Sequence, residues 1–294
     1  MQTEDASQAP LVSFVVFAYN QEDVVGHAIE GAFAQTYPNL QLIFSDDCSP
    51  DGTFEAMRSA AEAYDGPHEI VLNRNPENVG PIGHVNRIFE LSKGEMIVIN
   101  AGDDISTPDR TERLFETFRR DNPLLVYSDV TKIDETGAVI GDWSFHDRVV
   151  TRGPAKAATA SALCLGAACA WHPDIMRLFG EIKEMDAYGD LVFSFRAILA
   201  GRISHVPEPL LQYREGGISY WGPASVAERR ARKRRRQKVH LAVCRQRLSD
   251  CLKFAPGRGN LHRILRQEIA RYEPIVAAID AEDRAAESGA AAKG

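Results

Sequence analysis

The chain reads as an α/β protein: a doubly wound, mainly parallel sheet followed by a C-terminal helical extension. Three observations predict this. Short β-branched and aromatic runs alternate with helical stripes four times within about 120 residues. Each of those runs ends in a polar, turn-forming cluster. Beyond residue 225 the pattern changes to long, charged helical stretches.

The elements follow in order. Val12 to Phe17 (VSFVVF) is a buried strand, closed by the polar turn AYNQED. Val24, Val25, Ala28, Ile29, Ala32 and Phe33 recur at helical spacing. Leu40 to Ser45 (LQLIFS) is a second strand, followed by the turn-rich DDCSPDGT, and Phe54, Met57, Ala61 and Tyr64 form the next helical stripe. Glu69 to Asn73 is a third strand, RNPENVGP its turn, and Ile82, Val85 and Phe89 mark a helix. Met96 to Asn100 is a fourth strand ending in AGDD. Thr107 is placed to cap a helix with Pro108 at its first position, with Leu114, Phe115 and Phe118 inward.

The middle is less regular. Leu124 to Asp129 reads as a strand, a turn falls at Thr136-Gly137, and the apolar Leu163 to Trp171 reads as buried. Leu191 to Leu199 is a helix stopped by Gly201. Ile203 to Val206 and Leu210 to Tyr213 read as two short strands around Pro207 and Pro209. Val226 to Phe254 and Leu261 to Asp283 are helices, separated by APGRGN, with a kink expected at Pro274. The divisions expected are a disordered start over 1–9, a main domain over 10–222 split near 130, a helical extension over 223–283, and a disordered tail over 284–294.

Composition limits the function. With 44% hydrophobic and 26% charged residues, the chain has ordinary soluble character. A net charge of −7 argues against nucleic acid as a general partner. The five cysteines are odd in number and lack a CxxC pair, which disfavours a disulfide framework or structural zinc. The tract poorest in charge, Thr159 to Ala170, is too short to span a bilayer, and MQTEDASQAP lacks the features of a secretory signal, so a cytoplasmic location is expected. AYNQED stands where a dinucleotide fold would carry GxGxxG. GxxxxGK[ST] and GxSxG are also missing.

In doubly wound sheets ligands bind beyond the carboxyl ends of the strands. Those ends carry Tyr19 and Asn20, Asp46 and Asp47, Asn78 and Gly80, and Asp103 and Asp104. Either acidic pair alone is as well explained by Asx turns and helix caps. Two pairs on one rim repel unless a cation lies between them. Mg²⁺ or Mn²⁺ held by one or two carboxylates plus phosphate oxygens fits, and implies a phosphate-bearing substrate.

VSFVVFAYNQED, LQLIFSDDCSPDGT and NAGDDISTPDR together resemble the family 2 inverting glycosyltransferases of the GT-A fold, over roughly residues 10–217 and weakest between 131 and 163. The resemblance implies a donor site for a nucleotide diphosphate-sugar, UDP before GDP or TDP, and a hydroxyl acceptor on a glycan or lipid-linked glycan of the cell surface. It assigns Asp47 to the nucleotide base, Phe17, Ala18 and Tyr19 to the turn lining the base pocket, and Asn78 and Gly80 to the N-x-G stretch beside it. Asp104 matches the last carboxylate of the DxD motif, the ligand to Mn²⁺ or Mg²⁺, with Asp103 beside it on the nucleotide. The first acid of the common DxDD form is here Ala101. YGDLVFSFRAILAG resembles the base-bearing segment and places the catalytic base at Asp190, with Glu184 and Asp186 nearby, against a plain helix-capping role. LQYREGGIS resembles the segment folding over the donor, with Tyr213 and Arg214 as phosphate contacts.

His84 and His172 read as packing or surface residues, and Trp143, Trp171 and Trp221 as core or sugar-stacking faces. From Arg229 to Lys238, eight of ten residues are basic. That run suits an anionic membrane surface, pairing with the second C-terminal helix or another subunit, or a solvated face. Two rival functions remain: a nucleotidyltransferase, which AYNQED disfavours by lacking a Gly-rich basic loop, and a degenerate, non-catalytic scaffold, which Ala101 permits.

Overall fold

The computed structural model describes residues 9–144, 153–216 and 225–291. Gly217 to Ser219 and Trp221 lie outside them. A nine-stranded sheet holds β1 (Val12–Ala18), β2 (Leu40–Asp46), β3 (Glu69–Arg74), β4 (Met96–Ala101), β5 (Ile105–Ser106), β6 (Leu125–Ile133), β7 (Val139–Trp143), β8 (Cys169–Trp171) and β9 (Ile203–Arg214). The order is β3-β2-β1-β4-β8-β6-β9-β5, with β7 on β6. The first four strands are mutually parallel, as are β6 and β9. The short β8 joins the two groups, antiparallel to both β4 and β6.

The helices are α1 (Val25–Phe33), α2 (Thr53–Ala63), α3 (Gly80–Leu91), α4 (Arg110–Asp121), α5 (Pro154–Ala157), α6 (Asp174–Phe179), α7 (Gly189–Ala200), α8 (Val226–Phe254) and α9 (Gly259–Ala291). They cover both faces of the sheet, so the central strands are apolar on both sides. In β1, Phe14 and Val16 join a cluster with Ile29, Phe44 and Leu114, while Val15 joins another with Ile43, Ile82 and Phe193. This is the period-two alternation of a strand buried on both faces.

The structure differs from the sequence reading in several places. Helix α4 begins at Arg110, not at Pro108. The Thr107 hydroxyl donates to the Asp109 carboxylate instead of capping a helix. β9 is one strand, because its register against β6 skips Pro207 and Glu208 and needs no N–H from either proline. β7 pairs with β6 beyond the turn at Gly137. The last helix runs on past Asp283 to Ala291. Gly201 ends α7 in the left-handed conformation (φ 67°), where glycine carries no Cβ penalty.

The C-terminal helices are built into the body. Arg196 of α7 and Asp250 of α8 form a bidentate ion pair at 2.8 and 3.0 Å, with side chains 0% and 1% exposed. Gln246 of α8 accepts the Lys183 N–H. In the basic run, Arg230, Arg234 and Lys238 pair with Glu282, Asp283 and Asp280 of α9, and the Arg235 guanidinium lies over the Tyr188 ring. Pairing with the second C-terminal helix is thus the reading of this run that the fold displays. Among the described residues, no helix is long and apolar enough to cross a membrane.

Candidate active site

The four parallel strands end on one rim, and their turns are tied together there. The Asp47 N–H donates to the Ala18 carbonyl, and the Gly102 N–H donates to that of Phe17. A Cβ on Gly102 would lie 2.6 Å from Ala18 Cβ and Gln21 Oε1. Only glycine lets the AGDD turn sit this close to AYNQED.

On the β2 side the two acids divide the work. Asp46 is fully buried and accepts from the Ser49 N–H and hydroxyl, closing its own turn. Asp47 accepts from Asn75 Nδ2 at 2.8 Å and the Val79 N–H at 3.0 Å, both on Oδ1. The carboxylate therefore folds residues 75–80 around itself. Asn78 is exposed, and its Oδ1 accepts from the Gly80 N–H, with Gly80 at φ 74°. Ala18 is buried, Phe17 half-buried, and Tyr19 46% exposed, so the Tyr19 ring stands on the rim. Beneath Phe17 lies His84, ring edge to face at 5.7 Å and 2.6 Å from the Ser45 hydroxyl. Burial lowers the His84 pKa, opposed by Asp47 and Asp46.

On the β4 side Asp103 is partly buried and bonded by the Gln21 side chain. Burial raises its pKa against those bonds and Arg214. Asp104 is 1% exposed. Its Oδ1 accepts the Arg214 N–H at 2.9 Å, while its buried Oδ2 has no hydrogen-bond partner. Burial, then the charge of Asp103, raises the Asp104 pKa well above the usual carboxylate range, against Arg110 and Arg214. Arg110 is fully buried behind it and spends its donors on Asn100, Ser106 and the carbonyls of Ile99 and Ala167.

A buried carboxylate oxygen without a donor is costly, and a divalent cation is the partner its chemistry calls for. Among the described residues, no group of three or more His, Cys, Asp or Glu side chains stands ready to hold a metal. The fit is therefore to an ion held by Asp104 plus phosphate oxygens. Arg214 commits Nε to the Asp103 carbonyl and Nη1 to those of Asp134 and Glu135.

Asp190 sits in the first turn of α7, where its Oδ1 accepts the Leu191 N–H at 2.7 Å. A Cβ on Gly166 would lie 3.3 Å from Asp190 Cβ, so the 166–168 turn closes over it. Burial lifts its pKa to about 6, against the Leu191 N–H and the charge of Arg247. Tyr213, on β9 one residue before Arg214, feels the charge of both carboxylate sites. Burial first, then Asp104, Asp103, Glu215 and Asp190, raise its pKa. Of the nearby acids, Glu184 is partly buried with a raised pKa, and Asp186 is exposed.

Sequence reasoning missed Gln21, Ser45, Arg110 and Arg247 and placed His84 only in packing or at the surface. Gln21 was visible as a polar residue in a strand-end turn. A buried arginine bonded to loop carbonyls leaves no periodic signal.

Residues 13–159, half of the chain, match the family described as Glycosyl transferase family 2. The chain belongs to this family. Over 109 residues it is 36% identical to the succinoglycan biosynthesis protein ExoO of Rhizobium meliloti (strain 1021), covering 37% of this chain and 30% of that protein. The match thus spans under a third of that relative's length. The fold is shared with Staphylococcus aureus TarS 1-349 in complex with UDP-GlcNAc (TM-score 0.63, 14% identity, 89% of this chain and 72% of the other). It is also shared with the mannosyltransferase PcManGT of Pyrobaculum calidifontis in complex with GDP-Man and Mn²⁺ (TM-score 0.62, 20% identity, 96% and 77%). Its architecture is accordingly the GT-A fold.

Proposed function

We propose that the chain is an inverting sugar transferase that takes a nucleotide diphosphate-sugar, UDP-linked by preference, to a hydroxyl of a cell-surface glycan or glycolipid. The observation that carries this is the buried Asp104 carboxylate, whose Oδ2 has no hydrogen-bond partner, on the same rim of strand ends as Asp47. Asp47 holds the base, with Phe17, Ala18 and Tyr19 beside it and Asn78 and Gly80 shaping the loop. Asp103 and Asp104 face the diphosphate, with Tyr213 and Arg214 closing that side, and Asp104 is the protein's own ligand to Mn²⁺ or Mg²⁺. When bound, the cation supplies positive charge to the departing diphosphate as a Lewis acid. Asp190 takes the acceptor's proton as its oxygen bonds to the anomeric carbon from the face opposite the breaking bond to the diphosphate. A pKa near 6 leaves Asp190 ionised at pH 7 yet basic enough to accept that proton. The solved complexes with UDP-GlcNAc and with GDP-Man and Mn²⁺ support the donor class, and the succinoglycan protein supports the product class.

The test uses two variants and two readouts. Asp104→Ala and Asp190→Asn each abolish sugar transfer, but only Asp104→Ala weakens binding of UDP with Mn²⁺ in calorimetry. Full transfer by Asp190→Asn would remove the base assignment. Undetectable UDP–Mn²⁺ binding by the unaltered chain would remove the donor assignment.

A further inference from the structure

Arg247 of α8 is fully buried and lies 88 residues beyond the end of the family-matched segment in sequence order. Its Nη1 donates to the Ala158 and Ala160 carbonyls at 3.1 and 2.9 Å, and its Nη2 to the Leu191 carbonyl at 2.8 Å. The guanidinium lies over the Phe195 ring at 5.3 Å. Leu191 is gripped at both ends: its N–H holds Asp190 Oδ1, and its C=O is held by Arg247. Ala158 and Ala160 precede the segment whose Gly166 abuts Asp190. One guanidinium thus clamps both stretches of chain that touch this carboxylate.

The bonding pattern separates Arg247 from a purely structural arginine. Arg196, on the same interface, is neutralised by the bidentate Asp250. Arg247 donates its hydrogen bonds to backbone carbonyls, which orient the charge without forming an ion pair, and the carboxylates whose charge acts on it are Asp190 and Asp250, the second already paired with Arg196. A buried cation so held is expensive unless a nearby anion uses it. Three elements bring ionisable groups to Asp190: Arg247 from α8, Tyr213 from β9 and Cys169 from β8, the last beside Cys164. Among these Arg247 alone is cationic.

We infer that Arg247 is a positioning residue for Asp190, so that the C-terminal helical extension completes the catalytic site. This rests on Asp190 being the base. The clamp fixes the first turn of α7, and the guanidinium charge, bound in no ion pair of its own, keeps Asp190 ionised near neutral pH.

The experiment titrates Asp190 in the full chain by carboxyl ¹³C NMR, with Asp190→Asn identifying the resonance. Arg247→Gln raises the midpoint by about one pH unit, the size expected for loss of one nearby opposite charge. Gln246→Ala, which loosens the same helix without altering charge, leaves the midpoint in place. A midpoint unmoved by Arg247→Gln, or moved equally by Gln246→Ala, overturns the inference. Should Arg247→Gln fail to fold, Arg247→Lys decides: charge is kept and the fork lost. The inference expects a kcat at least about tenfold lower with donor KM unchanged, and an unchanged kcat overturns it. Full transfer by Asp190→Asn would sink the base assignment separately, whatever the NMR midpoints show.

Discussion

Asp190 gives a prediction that joins stability to function. Its pKa is lifted from 3.8 to about 6, chiefly by burial. The folded protein therefore binds this proton more tightly than the unfolded chain does. Stability then falls as pH rises between about 4 and 6, where the folded state holds more protons, and the cost is fully present above pH 6. At about 1.4 kcal/mol per pH unit, the burden at pH 7 is up to about 3 kcal/mol. Asp190→Asn cannot ionise and escapes it. The substitution also changes a hydrogen bond to Leu191, but that effect is the same at every pH. The quantity to measure is the unfolding free energy of the variant minus that of the unaltered chain, by urea titration at about pH 4 and about pH 7.5, at the lower edge of the transition and above it. That difference grows by up to about 3 kcal/mol on going to the higher pH. A difference independent of pH, or one that shrinks, would refute the claim that burial strains this carboxylate.

The remaining predictions are briefer. The acid limb of kcat against pH has its midpoint at about 6, and a limb near 4 would mean that Asp190 is not the titrating base. Asp47→Ala frees Asn75 and Val79 and weakens UDP binding by about tenfold or more, measured by calorimetry. Asp250→Ala leaves Arg196 buried without its counter-charge and lowers unfolding stability by about 3–5 kcal/mol, most of it recovered by the apolar double substitution Arg196→Met with Asp250→Leu.

The first half of the chain was largely legible from the residues. Strands such as VSFVVF and MIVIN are apolar on both faces, and their ends are marked by polar turns, so the sheet and its rim follow from pattern alone. The second half was harder for identifiable reasons. Pro207 and Pro209 argue for broken strands, but a register shift against β6 removes the need for their N–H groups. Thr107 and Pro108 have the chemistry of a helix start, yet Thr107 is drawn to Asp109 and to the Leu210 carbonyl of β9, a partner distant in sequence. Arg110 and Arg247 read as ordinary charged helix residues, since burial against loop carbonyls depends on segments without periodicity. The role at Asp190 came from resemblance. A residue in a helix's first turn has too many ordinary uses for its spacing to single it out.

β5 follows directly on Asp103 and Asp104, and pairs Ile105 with Gln212 and Ser106 with Leu211 of β9. Two residues further along β9, the Arg214 N–H reaches Asp104 itself. The turn carrying Asp103 and Asp104 and the far end of β9 are therefore one mechanical part, stitched from segments over a hundred residues apart in the chain. Any displacement of β9 is delivered to Asp104 as a lever delivers it, without passing through the parallel strands. On the proposed donor site, a perturbation of β9 would thus register first around Asp104, and only later around Asp47.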